Sequence, residues 1–400
     1  MMRNIIAFIL CLIFPMSFLY PQGIWFGLYL NYIFISFCAL LLFFSQLRIR
    51  TTFALTFYFR IFILNLFGNL FSYAVGNISF ELMVKSSAPI FIAMCTSYII
   101  ANIEEHNLDY MKKSIFITFL LVLFLVILDG TLKPYWIYNL FYVKENQLNI
   151  LDTIFHRAVG PLLSPIMSGF FCATIVIYAF AQIAYKKKII LHSFLFVIGG
   201  VGLLLTASRT SMLAVGFVLI TYMLFYRVIS KKSIFLFVII CITIIVIGDW
   251  SFLENISDNL AARNEHLSSG VFEGTGRTDT FISALKYKFD FRCLFWGIGL
   301  GEYSVVEDST FSLAHNGLLS IFLPLGLLGV FLHFYLYRNY LYRYKKFHSG
   351  SNLFVSLWIL LLLGTFLSAD LPVSALNLIL QAIILTYIDR INKVNQRKIL

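Results

Sequence analysis

Apolar residues along this chain come in long blocks broken by short polar turns, and the length of the blocks sets the first expectation. They run near 5–20, 24–45, 53–75, 87–103, 114–130, 162–184, 189–206, 211–229, 233–249, 316–337, 352–368 and 373–389. A bilayer-crossing helix needs roughly 20 predominantly apolar residues, so the pattern predicts about twelve transmembrane helices. The chain reads as one all-α polytopic membrane domain over residues 1–400. Two connections are long, 131–161 and 250–315, and the rest are turns. The opening segment, MMRNIIAFILCLIFPMSFLYPQG, has the basic start and apolar stretch of a signal peptide. It lacks a small-x-small cleavage site and leads straight into another block, which predicts a retained helix.

Charge then assigns a side to each connection, because Lys and Arg concentrate in cytoplasmic loops. With the N-terminus inside, 19 of the 30 basic residues fall in inside segments and 10 in outside ones, with Arg60 within a span. Four acidic residues, Glu104, Glu105, Asp109 and Asp389, fall inside, and the others outside. Every short inside loop is basic. Both termini are therefore expected in the cytoplasm, and the two long loops face outward. The net charge of +11 follows topology and forms no nucleic-acid patch.

Composition agrees with this class. The chain has 400 residues, 60% hydrophobic and 12% charged, with a mean hydropathy of +0.87. Soluble domains carry about 25% charged residues. Of six cysteines only Cys293 lies in a long polar loop, so no disulfide framework or zinc spacing is legible.

Topology filters the candidate chemistry. His106, His192, His333 and His348 fall on the inner side, leaving His156, His266 and His315 outside. His315 opens a span in LAHNGLLSIFLPLGLLGV, where an imidazole can take a proton from a hydroxyl. His315 and Asn316 can equally be read as caps of that helix. Arg209, in TASRTSMLAVG, sits in an outside turn against the charge rule. Its neighbours Ser208 and Thr210 are good capping residues. Arg157 precedes the sixth span and Arg277 opens a segment of the large loop. In that segment Phe281, Leu285 and Phe289 recur every fourth residue, as on a short amphipathic helix.

Arg157, Arg209 and His315 all stand at starts of helices whose N-termini face outward. Such ends attract anions, and guanidinium suits phosphate. Arg60 can snorkel inward or face the bundle interior. Asp129, Asp249 and Asp370 lie at outer helix ends, where solvation is cheap. No buried carboxylate ladder, metal-ligand spacing or phosphate-binding glycine loop is visible.

Three segments in order, TASRTSMLAVG, GTGRTDTFISALKYKFDFRCLFWGIGLGEYS and LAHNGLLSIFLPLGLLGV, resemble the O-antigen polymerase and ligase superfamily over roughly residues 150–335. The segment RAVGPLLSP reads more like the polymerases. Gly317 and Pro324 depart from acidic residues often found in the family, which weighs against the ligases.

The resemblance implies a glycosyltransferase of the bacterial inner membrane with a periplasmic site, acting without a metal or other cofactor and inverting the anomeric carbon. It further implies that Arg209 and Arg277, assisted by Arg157, Asn316 and Ser208, bind an undecaprenyl-diphosphate-linked oligosaccharide, while His315 handles the acceptor hydroxyl. A chain-length regulator is the protein partner it suggests. An O-antigen ligase and a flippase of the same lipid-linked glycans are the alternatives. Large outer loops with arginines speak against a carrier, which concentrates polar groups at mid-membrane.

Overall fold

A computed structural model describes residues 27–45, 50–132, 157–162, 164–226, 291–310, 317–344, 349–366 and 374–399. Among them there are helices and turns but no strand. The helices are α1 (Gly27–Ser45), α2 (Phe53–Ala74), α3 (Phe80–Asn102), α4 (Glu105–Leu132), α5 (Pro165–Ala184) and α6 (Ile189–Leu205). There follow α7 (Arg209–Tyr226), α8 (Phe291–Phe295), α9 (Gly299–Thr310), α10 (Gly317–Arg343), α11 (Gly350–Phe366) and α12 (Ala375–Ile399).

Ten of the twelve expected spans fall on these helices, while 5–20 and 233–249 lie outside the described residues. Five helices are long and apolar enough to cross a membrane: Phe53–Ala74, Phe80–Asn102, Glu105–Thr131, Pro165–Ala184 and Gly317–Arg343. Large apolar side chains such as Phe67, Ile190, Leu213 and Phe331 remain exposed on the outside of the bundle. A water-soluble surface rarely carries so much contiguous apolar area, whereas lipid is as apolar as a protein core. Arg60 is on this exposed side of α2, which leaves snorkelling and excludes the bundle interior.

Helix boundaries follow capping more than hydropathy. α3 starts at Phe80, seven residues before its apolar block, because the Ser79 hydroxyl accepts from Leu82 N at 3.2 Å. Thr52 and Ser164 cap α2 and α5 in the same way.

The helices form two packed groups. One is built from α1, α2, α3 and α12, with α9 and α10 against α2 and α8 against α10. The other is built from α4, α5, α6, α7 and α11, and α11 joins them through α10 and α12. Several large buried side chains bond their polar tips internally, which a low-dielectric environment favours. Trp358 Nε1 donates to Thr174 Oγ1 at 3.2 Å, and Tyr340 OH to Asp389 Oδ2 at 2.9 Å.

Asp389, counted above on the inner side, and its neighbour Arg390 are buried and tie three helices. Asp389 Oδ2 accepts from Ala54 N at 3.1 Å at the start of α2. Arg390 Nη1 donates to the carbonyls of Ile100, Ala101 and Ile103 at 3.2, 2.6 and 2.9 Å at the end of α3. An anion thus meets a helix N-terminus and a cation meets a C-terminus, each the favourable sign.

α10 is broken near its first third by Pro324 and by Gly326, whose φ is +65°. The break releases carbonyls that an unbroken helix would use. The turn between α8 and α9 enters it, and Ile298 N donates to Leu323 O at 3.0 Å. A Cβ on Gly326 would lie 2.4 Å from Phe295 O, so the approach requires glycine there. The glycine-rich GIGLG stretch is therefore locked into the helix that follows His315 and Asn316.

Candidate functional site

The described candidates converge at the turn between α6 and α7. Thr206 N and Ala207 N close the end of α6 on Gly202 O and Leu204 O at 3.2 and 2.9 Å. Ala207 is then held at φ +46°, a left-handed conformation that costs a non-glycine residue about 1–2 kcal/mol. This strained corner starts α7 with Arg209 as its first residue. Arg209 is exposed, while Ser208 and Ser211 are buried with hydroxyls 3.0 Å apart. Ser208, expected to touch ligand, is thus packed into the corner. A Cβ on Gly169 of α5 would stand 2.5 Å from Ser208 Cβ, so only a glycine lets α5 approach so closely.

Arg157 is brought to the same corner from 49 residues away. Its Nε donates to Thr206 O at 3.0 Å, three residues before Arg209. The backbone around it is fastened at every step. Ala158 N donates to Leu205 O at 3.0 Å. Val159 N and Gly160 N donate to Asp129 Oδ2 at 2.7 and 2.9 Å, and Ser168 Oγ donates to Val159 O at 2.5 Å. Two guanidinium-bearing residues are thereby held at one helix start, where positive charge accumulates and an anion is the natural complement.

Asp129 departs from its reading as a cheaply solvated end. It is only 3% exposed, because the segment 157–160 covers it. Its second oxygen, Oδ1, is buried without a hydrogen-bond partner among the described residues. Asp249 and Asp370 lie outside the described residues, as do Arg277, His315, Asn316 and the amphipathic segment around Phe281.

A second polar cluster occupies the corner of α2, α3, α8 and α9. Glu302 is buried and both its oxygens are used. Oε1 accepts from Asn77 Nδ2 at 2.9 Å, and Oε2 accepts from Ser72 Oγ at 2.6 Å and Arg292 Nη1 at 3.1 Å. Asn65 Oδ1 and Asn69 Oδ1 accept from Leu300 N and Gly301 N, each at 2.9 Å, capping the start of α9 from another helix. Trp296 packs on Phe67 with ring centroids 5.6 Å apart, and the Arg292 guanidinium lies over Phe71 at 5.3 Å. The sequence signal for this cluster was the polar stripe Asn65, Asn69 and Ser72, at i, i+4 and i+7 on an otherwise apolar helix.

Residues 194–334 match the family model described as O-antigen ligase. The match covers about a third of the chain, so it is this stretch that is similar to the family. No curated protein matches the chain. The O-antigen ligase match begins within α6, includes Ser208, Arg209, Arg277, His315 and Asn316, and ends within α10. Arg157 and Asp129 precede it in the chain, yet the fold places Arg157 directly on its α6–α7 turn. Among the described residues no group of three or more His, Cys, Asp or Glu is arranged to hold a metal ion.

Proposed function

We propose that this protein is an O-antigen polymerase, joining undecaprenyl-diphosphate-linked oligosaccharide repeats by glycosyl transfer at the periplasmic face of the inner membrane. The observation that carries the reading is Arg157 fastened to the turn from which Arg209 opens α7, within the stretch similar to the O-antigen ligase family. Diphosphate departure develops negative charge, and donors fixed in advance stabilise it without reorganising. Arg209, Arg277 and Arg157 bind the diphosphate. The acceptor hydroxyl oxygen attacks the anomeric carbon from the opposite face, forming the new glycosidic bond with inversion. The bond from that carbon to the diphosphate oxygen breaks, and its electron pair leaves with the diphosphate. His315 receives the hydroxyl proton, or orients the hydroxyl while the departing diphosphate takes that proton. No metal is required in this scheme.

The family description favours a second reading, ligation of the glycan to lipid A-core, whereas RAVGPLLSP favours polymerase. Lipid analysis of cells lacking the native gene separates them. Loss of a polymerase leaves single repeats on lipid A-core; loss of a ligase leaves polymer on undecaprenyl diphosphate. Loss of a flippase leaves neither. Restoring the gene as Arg209→Ala or Arg277→Ala should give single repeats while the protein is made and inserted. Normal laddering from those variants would refute the site.

A further inference from the structure

We infer that Asp129 is a positioning residue for Arg157, setting the affinity of the outer site for a diphosphate-bearing lipid without touching it. The inference rests on the functional reading above and extends it to a residue outside the matched domain. Asp129 lies in the last turn of α4, and one of its oxygens takes two successive amides, Val159 N and Gly160 N, at 2.7 and 2.9 Å. Those amides begin two residues after Arg157. On its other side the same segment is bonded to α6, through Ala158 N to Leu205 O and Arg157 Nε to Thr206 O, both at 3.0 Å. Arg157 thus hangs between two tethers, one charged and one on the strained α6–α7 turn.

The charged tether is costly. Asp129 is 3% exposed, and among the described residues its Oδ1 has no partner, so the carboxylate gives up water for the two amide bonds on Oδ2. Charge-assisted bonds to N–H groups are roughly twice as strong as neutral ones. Two such bonds on adjacent amides hold the segment in one register. A guanidinium displaced by about 1 Å loses much of its advantage at a phosphate.

The test measures binding of undecaprenyl diphosphate by the purified full chain in detergent, from the concentration dependence of its thermal unfolding. Arg157→Ala and Asp129→Ala should each weaken binding by roughly tenfold, the scale of one charge-assisted contact. The double variant should be no weaker than either single one, because both remove the same interaction. Asp129→Asn, whose amide oxygen can still accept from both N–H groups, should recover binding to within about threefold of the native chain. Asp129→Glu, one methylene longer, should fold and bind as poorly as Arg157→Ala; it serves should Asp129→Ala fail to fold.

Multiplying losses in the double variant, or an Asp129→Asn chain as weak as Asp129→Ala, would overturn the inference while the diphosphate site stands. Absence of binding by the native chain would overturn the site itself and the inference with it.

Discussion

Two helix starts in this molecule, those of α9 and α7, face the same structural problem and meet it differently. At α9 the first amides are capped by Asn65 and Asn69 from α2, and the nearby Glu302 carboxylate is fully used by Asn77, Ser72 and Arg292. The charges there neutralise each other out of contact with solvent. At α7 the buried polar side chains Ser208 and Ser211 pair with each other, Ala207 is strained, and Arg209 is presented at the surface. A closed network of this kind holds a fold in place. An exposed cation on a strained, firmly buttressed corner is the kind of feature that recognises a ligand. The first corner anchors the end of the large loop; the second carries the proposed chemistry.

The comparison predicts opposite signatures. Glu302→Ala leaves Arg292 buried without its carboxylate and should destabilise the protein by about 3–5 kcal/mol, seen as a lowered unfolding temperature in detergent. A cost under about 1 kcal/mol would mean that the corner is wetter than its burial indicates. Arg209→Ala should do the reverse, reducing polymer formation by about a hundredfold or more. Its stability should stay within about 0.5 kcal/mol of the native chain, as for other surface changes. Asn69→Ala uncaps Gly301 N and removes the amide donor to the Ser86 and Ser87 hydroxyls, and should cost about 1–3 kcal/mol. Ala207→Gly should stabilise by about 1 kcal/mol by relieving the left-handed strain, and the same unfolding scan reads it. Loss of activity in that variant at unchanged fold would show that the rigidity of the corner, not only its shape, is used.

The helices were readable because long apolar runs follow directly from residence in lipid, and ten expected spans coincide with them. Side-chain environments were not, since they depend on segments distant in sequence. Asp129 looks like a solvated helix end until residues 157–160, about 30 positions on, are folded over it. The helix α9 was hidden by its glycine-rich start and low hydropathy, and its caps lie more than 230 residues earlier. Arg209 was legible as an exception to the charge rule, and Arg157 as a basic residue before a span. Their meeting at one turn was not, because it rests on long-range bonds such as Arg157 Nε to Thr206 O and Ala158 N to Leu205 O.

The most direct test reconstitutes the purified chain in liposomes with a single undecaprenyl-diphosphate-linked repeat and follows the lipid-linked products. A polymerase converts the repeat into dimers and longer chains on undecaprenyl diphosphate with no other acceptor present, and the Arg209→Ala chain does not. Consumption of the repeat only when lipid A-core is supplied, with no lipid-linked dimer, would contradict the account and make the protein a ligase.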